Sequence, residues 1–147
     1  MHRRIQKIES VQIHGDLEDK KNPIIFGYGD EIDDHYSHIE NLNDNRYLEN
    51  VKSIKYLETD NYKRLLSFID SGKYGIYIMG HSCGISDRTL LNTLFEHENC
   101  ASIKVFYHKW DGGDNHSDVV RNISRNFTDK AKMRKIVVDK TNSVPLS

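Results

Sequence analysis

The sequence predicts an α/β domain built on a small, parallel, Rossmann-like sheet with flanking helices. Three observations carry that expectation. Tyr74 to Met79 is a nearly continuous apolar run of strand length, and Ile103 to Tyr107 is a second. Between them, a segment capped by Ser86 or Asp87 and running through His97 sets Leu90, Leu91, Leu94 and Phe95 on one helical face. Parallel strands buried on both faces read as continuous apolar runs, and strand–helix–strand closes as a right-handed crossover.

The remaining elements follow in chain order. Ser10 to His14 alternates apolar and polar residues and ends at Gly15, which predicts a short strand. Pro23 to Phe26 is a further apolar run, closed by a turn at Gly27-Tyr28-Gly29-Asp30. Residues 31–59 hold Tyr36, Ile39, Tyr47, Val51 and Ile54 at loose helical spacing, predicting one or two short helices. Asp60 caps a better helix with Tyr62, Leu65, Leu66 and Ile69 on one face, ended by Ser71-Gly72. After the second strand, a polar loop at Asp111-Gly-Gly-Asp114 leads to a helix from about Ser117 to Asn126. Thr128 then caps a last helix before Ile136-Val137-Val138.

At 147 residues the chain has the length of one domain, 1–147. Its 37% hydrophobic and 29% charged residues suit a globular protein. No apolar run approaches the ~20 residues that span a bilayer, and residues 1–10 lack the apolar stretch of a secretory signal. Cys83 and Cys100 are too few for a disulfide framework and too far apart for a paired-cysteine motif, which points to a reducing, cytoplasmic setting. With 21 basic against 22 acidic residues, the net charge of -1 argues against nucleic acid or an anionic membrane as partner. The basic residues between Arg121 and Lys140 read as a solvated helix face.

Ligands of such sheets bind beyond the C-terminal strand ends. This places the loop from Gly80 to Ser86 and the loop after Tyr107 on the functional edge. Gly80-His81-Ser82-Cys83-Gly84 matches the nucleophile elbow pattern of serine hydrolases, with Ser82 as the nucleophile. The helix, however, starts four or five residues after the serine rather than at once, and no acid and histidine follow in clear strand-end positions. The same loop could instead bring backbone N–H groups close to a phosphate or ribose, or be a βα turn with no ligand. His14, before Gly15, has the position of a general base, although a lone histidine is more often structural. The other histidines show no metal-ligand spacing, so no metal is expected.

Three blocks together resemble the C-terminal part of the AbiH family, bacterial proteins associated with abortive infection by phage. They are Ile13-His-Gly-Asp16, Ile24-Ile-Phe-Gly-Tyr-Gly-Asp-Glu31 and Ile78-Met-Gly-His-Ser-Cys-Gly-Ile-Ser-Asp-Arg-Thr-Leu-Leu91. The resemblance runs from about Val11 to Leu146. AbiH proteins are in turn similar to sirtuin-like antiphage domains, which implies the C-terminal half of a sirtuin-like fold. It implies His14 as catalytic base, with Gly80, Ser82 and Asp87 bordering a nucleotide, NAD being the candidate cofactor. Full-length members begin with a glycine-rich βα turn that no residue before Val11 supplies. A missing N-terminal half or a second copy of the chain is therefore an expected partner, and the chain alone is expected to turn over little or no NAD. The rival expectations are a non-catalytic structural or interaction remnant and a serine hydrolase using Ser82.

Overall fold

The computed structural model describes residues 9–28, 31–32 and 34–146. The predicted strand–helix–strand unit is present. Strand β1 (Tyr74–Met79) leads through helix α4 (Arg88–Glu96) to strand β2 (Cys100–Trp110). The two strands pair in parallel with Ile76 beside Ile103 and Ile78 beside Val105. Helices α5 (His116–Arg125) and α6 (Lys130–Ile136) follow, and β4 (Val144–Leu146) returns parallel to β2 on its other edge.

The sheet is nevertheless mixed, not purely parallel as expected. β2 outruns β1, and its projecting Lys109 and Trp110 pair antiparallel with β3 (Gly113–Asp114). The two-residue turn Asp111-Gly112 makes this hairpin, with Gly112 at φ +85°, a conformation that glycine adopts without strain. The polar loop of the sequence reading is thus a hairpin tip. Ile136-Val137-Val138 forms no strand of its own; Val137 makes a single parallel bridge with Ile103.

Helices α4, α5 and α6 contribute to one apolar core. Leu91 and Phe95, Val119 and Ile123, and Ile136 close over Ile78, Ile103 and Val105. Phe95 is fully buried and stacks on Phe127 with ring centres 5.5 Å apart. Burying side chains of this size supplies roughly 1.5–3 kcal/mol each, which is what stabilises a short sheet. The cap of α6 is Asp129, whose carboxylate accepts from the Lys132 N–H at 2.9 Å, not Thr128. Thr128 instead donates its hydroxyl to Glu96 at 2.7 Å, and Glu96 also accepts from the N–H groups of Thr128 and Asp129.

The first part of the chain departs most from expectation. Ser10 to His14 forms no strand, because the Gly15 N–H turns back to the Gln12 carbonyl at 3.0 Å. Among the described residues Pro23 to Phe26 pairs with nothing as a strand, and Tyr28 makes a single bridge with Val51. Gly29 and Asp30, in the expected glycine turn, lie outside the described residues. Between residues 31 and 59 stand two short helices, α1 (Tyr36–Asn41) and α2 (Lys52–Lys55), with a 3-10 turn at Asn45–Tyr47. Helix α3 (Asn61–Asp70) is as predicted, although the Asp60 side chain makes no capping bond. This part packs against α4 through a small cluster of Ile25, Tyr56 and Leu90, with Ile13, Tyr62 and Leu65 around it.

Candidate active site

Three segments converge beyond the C-terminal end of β1, and one carboxylate joins them. Asp87 precedes α4 but does not cap it. Its side chain, 11% exposed, accepts from the Lys52 ammonium at 2.7 Å and meets the His14 Nε2 at 3.2 Å, both through Oδ1. Its Oδ2 faces the His81 Nε2 at 3.4 Å. His14 and His81 are 38% and 46% exposed, so both rings border solvent while the carboxylate that orients them is covered.

The hydrogen bonds fix both imidazoles in the same tautomer. The Cys83 N–H donates to His81 Nδ1 at 3.0 Å, so the His81 proton sits on Nε2, toward Asp87. A carboxylate only accepts, so neutral His14 also carries its proton on Nε2, which leaves Nδ1 as a free lone pair. No described residue occupies that nitrogen. Tyr56 completes the wall, its hydroxyl 3.3 Å from His14 Nε2 and its ring stacked on Tyr62 at 5.1 Å.

Each segment is held by a local constraint. Behind His14, Gly15 sits at φ +85° with Pro23 so close that a Cβ would come within 2.2 Å of the Pro23 carbonyl oxygen. Only glycine fits. The Asn61 amide donates to the Gln12 carbonyl at 3.1 Å and to the Asn22 side chain at 2.8 Å, tying this turn to α3. Lys52 is placed by the close pass of Gly27, where a Cβ would lie 2.3 Å from the Asn50 carbonyl oxygen. In the β1–α4 loop, Gly80 and Cys83 have φ +70° and +55°, the second a conformation that costs a non-glycine residue of order 1 kcal/mol or more. Two asparagines of the α5 end hold it: Asn122 donates to the Ser82 carbonyl and Asn126 to the Cys83 carbonyl, each at 2.8 Å.

Electrostatics follow from this packing. Burial works to raise the Asp87 carboxyl, but the Lys52 hydrogen bond and charge, with the two histidines, outweigh it and hold the group below the usual carboxylate range. Burial lowers the His14 imidazole below its ordinary 6.5, and Lys52 and His81 add to that against the pull of Asp87. His14 is therefore neutral at pH 7, the form a general base needs. Burial pushes the Cys83 thiol up to about 11, so it is not a thiolate nucleophile.

Of the residues expected from sequence, His14 and Asp87 meet. Gly80 and Ser82 lie on the same loop, but neither makes a described contact with either of them. The Ser82 hydroxyl makes no hydrogen bond with a histidine among the described residues, and α4 begins at Arg88, six positions on. The sequence reading missed Lys52, His81 and Tyr56. His81 was inside a quoted motif and could have been found there, whereas Lys52 lies in an aperiodic, asparagine-rich stretch that carries no signal. Among the described residues no set of His, Cys, Asp and Glu has metal-binding geometry, and the Lys52 ammonium pairs with Asp87.

The implied cofactor fits in part only. A covered carboxylate beside a base suits a ribose hydroxyl. At the start of α4, where a pyrophosphate would find free N–H groups, the Asp87 carboxylate stands instead, and like charge opposes an anion there. The described residues thus do not fit NAD as a whole. Two clefts, of 490 Å³ beside Lys73, Lys132 and Lys135 and of 310 Å³ beside Gln12, Asn61 and Arg64, lie elsewhere and contain none of the site's side chains.

Fold and site together define an α/β protein with an acid–base cluster at the C-terminal end of its central parallel strands. The model of the family described as bacteriophage abortive infection AbiH matches residues 3–109, and the chain belongs to that family. The matched span contains His14, Lys52, Tyr56, His81 and Asp87. No curated protein and no solved structure matches the chain. Among the described residues no helix is long and apolar enough to cross a membrane.

Proposed function

We propose that this AbiH protein acts in phage defence through a proton-transfer site for the nucleoside part of a ligand, with His14 as the base toward a ribose-type hydroxyl. One observation carries the reading: His14 and His81, from distant segments, are both pinned by the two oxygens of Asp87 while their rings remain open to solvent. A purely structural carboxylate would be served by Lys52 alone. In this reading Asp87 orients both rings, and Lys52 balances its charge so that His14 need not be protonated to do so. His14 Nδ1 takes the hydroxyl proton, and the resulting imidazolium is stabilised by Asp87.

The test is imidazole NMR of the protein titrated with adenosine, 2′,3′-dideoxyadenosine and NAD. Adenosine is expected to shift the His14 resonances, the dideoxy analogue to leave them in place, and Asp87→Asn to abolish the response. Equal shifts from adenosine and its dideoxy analogue would refute the hydroxyl reading, as would no shift from adenosine.

A further inference from the structure

Beyond that site, the opposite face of the sheet carries an apolar surface that nothing in the described structure covers. Helices α4, α5 and α6 all close on the face bearing Ile78, Ile103 and Val105. On the other face, the register places Tyr77 beside Lys104, Met79 beside Phe106, and Phe106 beside Val144. Tyr77 is 65% and Met79 61% exposed, and Val144 is exposed as well. Tyr77 and Phe106 meet edge-to-face at 5.9 Å, so the patch is one continuous surface. Sheets with parallel strands are rarely left open on one side, because their strands are apolar on both faces. A large exposed apolar patch marks an interaction surface.

Charge selects the occupant. The described strands put no carboxylate on this face, and Lys104 is its one ionised side chain. Its ammonium lies 5.7 Å from the Phe106 ring centre and has no acidic partner among the described residues. A second copy docked through the same patch would bring another positive, self-like surface against it, since two-fold contacts are self-complementary. We infer that the Tyr77–Met79–Phe106 face docks an amphipathic helix of a partner protein, with an apolar stripe flanked by a carboxylate that pairs with Lys104. Helices are what parallel strands carry on their faces, and such a helix would cover this side as α4 and α5 cover the other.

Fluorescence anisotropy tests this with a labelled synthetic amphipathic helix of about 15 residues, the length at which isolated helices begin to be stable. One version carries leucines on its stripe with flanking glutamates, and a second has lysines in place of the glutamates. The acidic peptide is expected to bind about fivefold more tightly than the basic one, the weight of one partly screened ion pair. Lys104→Glu should reverse that order, and Met79→Asp should weaken both while adenosine-induced shifts at His14 persist. Binding of neither peptide would overturn the inference. So would a preference that Lys104→Glu leaves intact, or a wild-type dimer in sedimentation that Met79→Asp dissolves.

Discussion

The two parts of this molecule are held by different forces. From Tyr74 onward, regular strands and helices share a core of Ile78, Phe95, Ile103 and Ile123. Before Tyr74, short helices and turns are fastened by side-chain amides, glycine contacts and a small apolar cluster at Ile25, Tyr56 and Leu90. The site draws on both: Asp87 and His81 come from the regular part, His14 and Lys52 from the irregular one. A sheet and its helices place one carboxylate and His81 firmly, and the turn-rich segment brings His14 and Lys52 to them.

The largest stability effect is expected in the regular part. Phe95→Ala, which empties a fully buried position stacked on Phe127, should cost about 3–5 kcal/mol in urea unfolding. Gly15→Ala should cost less, roughly 1–3 kcal/mol, because it forces both a backbone strain and a clash with Pro23. Its more telling effect is local: His14 should lose its coupling to Asp87 while amide exchange in β1 and β2 stays slow. Exchange that accelerates equally in both parts would break the comparison.

Legibility in the sequence followed the same division. The β1–α4–β2 unit could be read because its apolar periodicity is the signal of its burial, and Leu91 and Phe95 are buried where the pattern put them. Ser10 to His14 also alternated, yet the short stretch is closed by a turn at Gly15 before it can pair. His14 and Asp87 were legible through the motifs that contain them. Lys52 was not, since a lysine's partner is chosen by the close pass of Gly27 and Asn50, a tertiary contact with no local trace.

The loop clamp offers a smaller effect. Asn126→Ala removes a buried amide from the Cys83 carbonyl and should cost about 1–3 kcal/mol, with His81 loosened from Asp87. A thermal melt combined with the His81 imidazole signal separates the two outcomes.

Smallest is the pH dependence. Because the folded state lowers the His14 pKa, the unfolded chain binds protons more readily as pH falls below 6.5. This contribution to stability is present above pH 6.5 and is lost as pH falls through the folded-state value. His116, also lowered by burial, acts in the same direction. The fall in melting temperature on acidification below pH 6.5 should therefore be shallower in His14→Gln, and shallower still when His116→Gln is added. An unchanged slope in the double variant would show that neither ring is held neutral by the fold.

In the proposed function His14 and Asp87 act as one functional unit. Its most direct test is protection against phage in cells producing wild type, His14→Ala, Asp87→Asn or the double variant, with melting curves confirming that each folds. Either single substitution is expected to abolish protection, with the double variant no worse than either. Full protection by a folded His14→Ala protein would contradict it.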